Sequence, residues 1–295
     1  MKILILHQPF PMGNYKLMPY IAQHLSKLGN DVYLLEQLNG RVATDEYTLQ
    51  LKSHEFDCIY YEMLDSETFN LISQLTNVNK VLCYTSRGIF DNFDDILSYS
   101  GKLYNKVLTN SNIMYQKFVK NAIECEHFQY YPAPIDFKDI ESDDRYKFDF
   151  VYLGGGFHRL TNSGYELERE IIYNNPVVHK FGSGYINVPN YKGLLPPNDI
   201  GRLYHNANFS LATIEPEQRS MGMINNRYSE IMKSGGRILS LEYNNIDFFG
   251  AEDFINFTKT SDIKNQIYKK VNLDAQKKYI LEQENVFFSK LLSLL

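Results

Sequence analysis

Asn225-Asn226-Arg227-Tyr228-Ser229-Glu230-Ile231-Met232-Lys233-Ser234-Gly235-Gly236, followed by Arg237-Ile238-Leu239-Ser240-Leu241, reads as a capped helix, a glycine stop and a buried strand. An asparagine at the start can satisfy free backbone N–H groups with its side-chain oxygen. Glycine at the end accepts the left-handed conformation that closes a helix. Ile224, Tyr228, Ile231 and Met232 form one apolar face. Arg227 and Glu230 lie three residues apart on another face, so they are neighbours in space. A helix start attracts anions. An arginine there suits a phosphate, and a glutamate one turn later suits ribose hydroxyls. The pair therefore points to a sugar-nucleotide pocket; the plain alternative is a surface ion pair.

Working outward, strands and helices alternate. Lys2–Leu6, Val32–Glu36, Cys58–Tyr61, Val81–Thr85 and Lys106–Thr109 read as strands, and His127–Tyr131 as a short extended segment. Leu17–Leu28, Glu67–Leu75 and Asn112–Ala122 read as helices between them. That succession predicts a parallel, doubly wound sheet. Tyr131-Pro132-Ala133-Pro134 and an acidic loop then interrupt the pattern. A second unit follows, with strands at Phe148–Leu153, Val177–Phe181, Phe209–Thr213 and Arg237–Leu241 and helices at Glu166–Tyr173 and Pro197–His205. The expected domains are residues 1–134, 135–272 and a C-terminal helix, 273–295, packing back on the first domain.

Composition narrows the class. The 295 residues are 44% hydrophobic and 22% charged, which fits one large or two medium α/β domains. A net charge of -5 argues against a uniformly basic nucleic-acid binder. Cys58, Cys83 and Cys125 are scattered, so neither a disulfide framework nor a metal site is indicated, and a reducing cytoplasm fits. No signal peptide or membrane span is expected.

Gly154-Gly155-Gly156, at the end of a strand, allows close approach by a diphosphate, and His158 and Arg159 can supply charged donors. The plain alternative is a glycine turn, since the G-x-G-x-x-G spacing is absent. From Ile96 to Ile123 there are four lysines, Lys102, Lys106, Lys117 and Lys120, and no acid, with Tyr99, Tyr104 and Tyr115 interleaved. That stretch reads either as a phosphate-contacting patch for double-stranded DNA or as a solvated helix face.

Taken together these segments resemble the GT-B glycosyltransferases, and within them the phage DNA β-glucosyltransferase family, which glucosylates 5-hydroxymethylcytosine. The resemblance is carried by Met1-Lys2-Ile3-Leu4-Ile5, Leu28-Gly29-Asn30-Asp31-Val32, Leu38-Asn39-Gly40, Tyr152-Leu153-Gly154-Gly155-Gly156-Phe157, Phe181-Gly182, Lys192-Gly193-Leu194-Leu195-Pro196 and Arg227-Tyr228-Ser229-Glu230-Ile231-Met232. It implies a GT-B fold, with two Rossmann-like doubly wound domains facing a cleft and a C-terminal helix crossing back.

The resemblance further implies a UDP-sugar donor and an acceptor in DNA, with glucose or a pentose such as arabinose as the sugar. It places Arg227 on the donor phosphates, Glu230 on the ribose and Gly155 and Gly156 along the diphosphate. The family carries an arginine where His158 stands, so Arg159 takes that task after a shift of one residue. Leu195 matches a position offering backbone contacts to uracil, and Arg219 a phosphate-contacting tyrosine. The family's catalytic aspartate matches Ser86, a departure; Asp91 is the nearest carboxylate, with Asp94 and Asp95 as rivals. Arginines could stabilise the departing diphosphate without an obligatory divalent metal. Two other readings stay open: a bacterial GT-B enzyme acting on surface polysaccharide or small molecules, and an inactive nucleotide-sugar-binding module.

Overall fold

A computed structural model describes residues 1–7, 17–36, 55–62, 72–75, 77–85, 93–135, 140–185, 187–244 and 246–295. The chain divides into two compact units: Met1–Phe128 with Val286–Leu295, and Gln129–Asn285.

The first unit is a six-stranded sheet. Its strands are β1 (Lys2–His7), β2 (Asp31–Glu36), β3 (Cys58–Tyr61), β4 (Asn79–Tyr84), β5 (Lys106–Thr109) and β6 (Glu124–His127), in the order β2-β1-β3-β4-β5-β6. Every pairing is parallel. Ile3, Leu4, Ile5 and Leu6 are all buried, as strands covered on both faces require. Helix α1 (Leu17–Lys27) buries Leu17, Met18, Ile21, Ala22 and Leu25 along one stripe. It ends at Gly29, in the left-handed conformation, while the Asn30 side chain donates to the Leu25 carbonyl at 3.0 Å. Helices α2 (Phe93–Ser98) and α3 (Asn112–Lys120) follow, the latter capped by Ser111, whose hydroxyl accepts from the Met114 N–H.

The extended segment expected at His127–Tyr131 is instead the strand Glu124–His127. It is the sheet edge, where charged residues protect unpaired backbone from other strands, so it lacks an apolar run. The helix expected at Glu67–Leu75 lies mostly outside the described residues.

The second unit is a five-stranded sheet of β7 (Phe150–Leu153), β8 (Val178–Phe181), β9 (Phe209–Ala212), β10 (Ile238–Leu241) and β11 (Ile255–Thr258). The order is β11-β10-β9-β7-β8, again all parallel. Its described helices are α4 (Phe157–Thr161), α5 (Glu166–Glu168, widening into a π-helix at Arg169–Tyr173), α6 (Ile200–Asn206), α7 (Pro216–Ser220), α8 (Asn226–Lys233) and α9 (Leu273–Leu294). Strand β11 has no counterpart in the sequence reading; it is four residues long and sits at the edge.

Helix α9 is shared between the units, passing from the second to the first after Asn285. In the second unit Ile280 joins the core around Tyr228, Ile231 and Met232. The Gln276 amide donates to the carbonyls of Met232 and Gly236, closing the end of α8. Lys233, 5% exposed, is ion-paired with Glu284, 7% exposed, at 2.7 Å and also donates to the Ala133 carbonyl at 2.6 Å. In the first unit Phe287 packs edge-on against Phe128 and Phe288 stacks on His24. The Asn79 side chain there donates to the carbonyls of Leu294 and Leu295. Among the described residues no helix is long and apolar enough to cross a membrane.

Candidate functional site

The stretch from Asn225 to Leu241 folds as its residues dictate. The Arg227 N–H donates to the Asn225 side chain at 3.1 Å, so the cap is in place. Gly235 takes a φ of 72°, and the N–H of Gly236 returns to the Ile231 carbonyl. Arg227 and Glu230 are thereby held on the first two turns of α8.

They do not form the surface ion pair. The Arg227 guanidinium lies 5.1 Å from the centre of the Tyr152 ring and donates to the Thr213 hydroxyl at 3.2 Å. Among the described residues no carboxylate pairs with it. Glu230 instead accepts from the Asn226 amide at 3.2 Å. Burial pushes its carboxyl up to about 7, against the pull of Arg227.

That shift makes stability depend on pH. Between the ordinary value of 4.5 and about 7, folded Glu230 holds a proton that the unfolded chain releases. Stability therefore falls as pH rises through this window, and the penalty is complete above it. Glu230→Gln is expected to raise stability at about pH 8 by on the order of 1–2 kcal/mol and to change little at about pH 5. Urea midpoints for both proteins at the two pH values check this; equal differences at both would show that Glu230 ionises normally.

Tyr152 and Thr213 lie at the carboxyl ends of β7 and β9, which are neighbours in the sheet although β8 separates them in sequence. The chain runs from β7 outward to β8, then returns to the far side of β7, so this is the point where strand order reverses. Doubly wound sheets bind ligands there. The segment after β7 carries Gly154–Gly156 and Arg159, and the segment after β9 carries Glu215. A cavity of about 560 Å³ opens here, lined by Gly155, Gly156, Arg159, Asn162, Tyr165, Ser183, Glu215 and Glu217.

The three glycines do different work. A Cβ on Gly154 would sit 2.7 Å from the Tyr152 hydroxyl, and one on Gly156 2.6 Å from the Tyr185 ring. Both let strands and side chains close behind the turn. A Cβ on Gly155 would meet only Arg159, at 4.0 Å, so this residue faces the cavity. Gly182, with a φ of 129°, has no room for a side chain against the Gly154 carbonyl.

Arg159 is nine-tenths buried; it donates to the Gly155 carbonyl at 2.9 Å and to Glu215 at 2.6 Å. Burial would raise the Tyr152 phenol, but Arg159 and Arg227 beside it outweigh that and hold it below its ordinary value. Two guanidiniums thus act on one buried ring, Arg159 paired with Glu215 and Arg227 drawn to Glu230.

Other expected residues fall elsewhere. Arg219 turns to the Gly164 carbonyl, lies 3.9 Å from the fully buried Glu168 and stacks 4.9 Å over Tyr243. Leu195 is half-buried against the Tyr146, Val151 and Phe181 cluster. Its loop is fastened by Lys180, 0% exposed, whose ammonium donates to the carbonyls of Asn175 and Pro189 and is pushed down to about 8 by burial. His158 is the second residue of α4, and its side chain lies outside the described atoms. Asp91 and Ser86 also lie outside the described residues, and so does the Asp94 side chain.

In the first unit, Lys102 is exposed in the turn before β5, and Lys106 opens that strand. Both stand at the amino ends of the strands, the edge opposite to the one where such sheets bind ligands. Parallel pairing sets Lys106 beside Glu124, just past the acid-free stretch, and the two are ion-paired at 3.4 Å. At the carboxyl edge a pair appears that the sequence reading missed. The Thr85 hydroxyl donates to the Glu62 carboxylate at 2.7 Å, the two residues directly following β4 and β3. Two residues far apart in sequence carry no spacing signal. Among the described residues no cluster of three or more His, Cys, Asp or Glu side chains could hold a metal.

Two all-parallel, doubly wound units, the second with a glycine turn and a capped Arg-x-x-Glu helix, are the architecture of the GT-B fold. The structure of T4 phage BGT in complex with its UDP-glucose substrate superposes with a TM-score of 0.55 at 16% identity, covering 100% of this chain and 93% of that one. A structure of the DNA modifying enzyme β-glucosyltransferase gives 0.52 at 17% identity, covering 98% and 94%. The UDP-GlcNAc 2-epimerase from Methanocaldococcus jannaschii gives 0.50 at 12%, covering 96% and 99%. No protein-family model and no curated protein matches the chain in sequence. These superpositions show the GT-B fold; a fold shared by transferases and epimerases does not select the reaction.

Proposed function

We propose that this chain is a UDP-sugar-dependent glycosyltransferase that transfers glucose or a pentose such as arabinose to 5-hydroxymethylcytosine in double-stranded DNA. The observation that carries the donor half is the convergence of Arg159 and Arg227 on Tyr152 beside Gly155. Of the two, only Arg159 has a carboxylate partner among the described residues, so a diphosphate would balance the charge. Glu230, one turn from Arg227, would accept from ribose hydroxyls. The DNA half is supported by the likeness to two structures described as a phage BGT and a DNA-modifying enzyme.

In the transfer, the acceptor hydroxyl oxygen bonds the anomeric carbon as its proton passes to a base. The bond from that carbon to the β-phosphate oxygen breaks, and its electron pair leaves with UDP. Arg159 and Arg227 stabilise the charge that develops there. The candidates for that base are Asp91, expected from the sequence, and Glu62, whose carboxylate accepts from the Thr85 hydroxyl. A base contributes about 10²–10⁴-fold, so Asp91→Asn or Glu62→Gln should lose turnover on that scale while UDP binding persists.

The experiment is incubation with a panel of UDP-sugars and hydroxymethylated or plain DNA, followed by nucleoside mass analysis. A sugar added to hydroxymethylcytosine alone is the expected result. Transfer to neither DNA, with UDP bound, would remove the DNA acceptor. Lys102→Gln with Lys106→Gln should flatten the salt dependence of duplex binding if these lysines meet phosphates.

A further inference from the structure

The cavity at the glycine turn is not uniformly cationic. Its lining holds one guanidinium, Arg159, and two carboxylates, Glu215 and Glu217. Glu215 is engaged by Arg159 at 2.6 Å. Glu217, exposed in the first turn of α7, has no ion-pair partner among the described residues. Arg227 is the residue assigned above to the donor phosphates, and two further arginines nearby are committed elsewhere. Arg169 donates to the carbonyls of Arg159 and Asn162 and pairs with Glu166 at 3.2 Å, and Arg219 is held by Gly164 and Glu168. The remaining lining groups, Asn162, Tyr165 and Ser183, are neutral. Burial, together with Glu215, pushes the Tyr165 phenol up to about 12, so it keeps its proton near neutrality.

The cavity therefore has two sides. Gly155 and Arg159 suit phosphate oxygens, which only accept hydrogen bonds. The carboxylates on and before α7 also only accept, so they suit groups that donate, such as sugar hydroxyls. Building on the donor reading above, we propose that Glu215 and Glu217 form an acidic wall that admits neutral donor sugars, hexoses and pentoses, and rejects sugars bearing a carboxylate. A uronic acid would set a third negative charge against this wall, and among the described lining residues the sole cation, Arg159, is already paired with Glu215. Specificity of this kind arises from the repulsive element as much as from the attractive one.

The test is calorimetric titration of UDP, UDP-glucose and UDP-glucuronate into the intact protein and into Glu217→Gln and Glu215→Gln. In the parent protein UDP-glucuronate should bind about tenfold or more weaker than UDP-glucose, about the cost of one like-charge contact in a solvated pocket. In Glu217→Gln the gap should close to within about threefold, since one charge of the wall is gone. Glu215→Gln also frees Arg159, which alters both affinities, so the ratio within each protein is the quantity read. Glu217 is on the surface, and its substitution should leave folding within about 0.5 kcal/mol, which thermal melts verify. Equal affinities in the parent protein, or a gap unchanged in both variants, would overturn the acidic wall while leaving the donor site standing. Failure of UDP itself to bind would overturn the donor site and the wall with it.

Discussion

Arg227→Ala is expected to weaken UDP binding about a hundredfold, roughly 3 kcal/mol, the scale of a charge-assisted bond in a poorly solvated site. The size follows from the surroundings. The guanidinium is packed over Tyr152 and tied to Thr213, so it is already oriented and little entropy is lost when a phosphate arrives. It also brings a charge that no carboxylate pairs with directly among the described residues. Arg227→Lys should recover only part of the affinity, because an ammonium lacks the planar fork and the stacking surface. Calorimetry on both variants reads this directly. An Arg227→Ala protein that binds UDP as tightly as the parent would remove the phosphate site from this end of the helix.

The second large effect concerns stability. Glu284→Ala should cost about 3–5 kcal/mol, because it takes the paired carboxylate away from the Lys233 ammonium in a site only 5% exposed. The Ala133 carbonyl would still accept a hydrogen bond but cannot offset a full charge. Replacing both partners by apolar residues, Lys233→Met with Glu284→Leu, should be far closer to neutral, since no buried charge is left behind. Denaturant midpoints of the single and double variants separate these outcomes. A single variant as stable as the parent would mean that water reaches the pair.

Much of this was legible from local pattern. Ile3–Leu6 is an apolar run that fits a buried strand, Ile238–Leu241 is one broken only by Ser240, and Asn225 with Gly235 brackets a helix by backbone chemistry alone. What local pattern cannot carry is pairing between distant segments. Nothing near Arg159 announces Glu215, 56 positions away, nor does anything near Lys106 announce Glu124. The edge strands Glu124–His127 and Ile255–Thr258 were missed because an edge needs neither a continuous apolar run nor length. Arg219 was expected at a phosphate; the buried carboxylate of Glu168 and the ring of Tyr243 hold it instead. Tyr152 drew notice only as a neighbour of glycines, yet its ring is where the two arginines meet.

The path of the last helix bears on how the chain comes to be folded during synthesis. The first unit draws its final segment from Val286–Leu295, and Asn79 bonds carbonyls 215 and 216 positions downstream. A nascent chain carrying only Met1–Phe128 has its strands but not the aromatic pair Phe287 and Phe288 that covers Phe128 and His24. The ordinary rule that domains complete themselves in order from the amino end therefore cannot hold here. On the ribosome the second unit can close first, and the unit begun earliest is the last to be sealed.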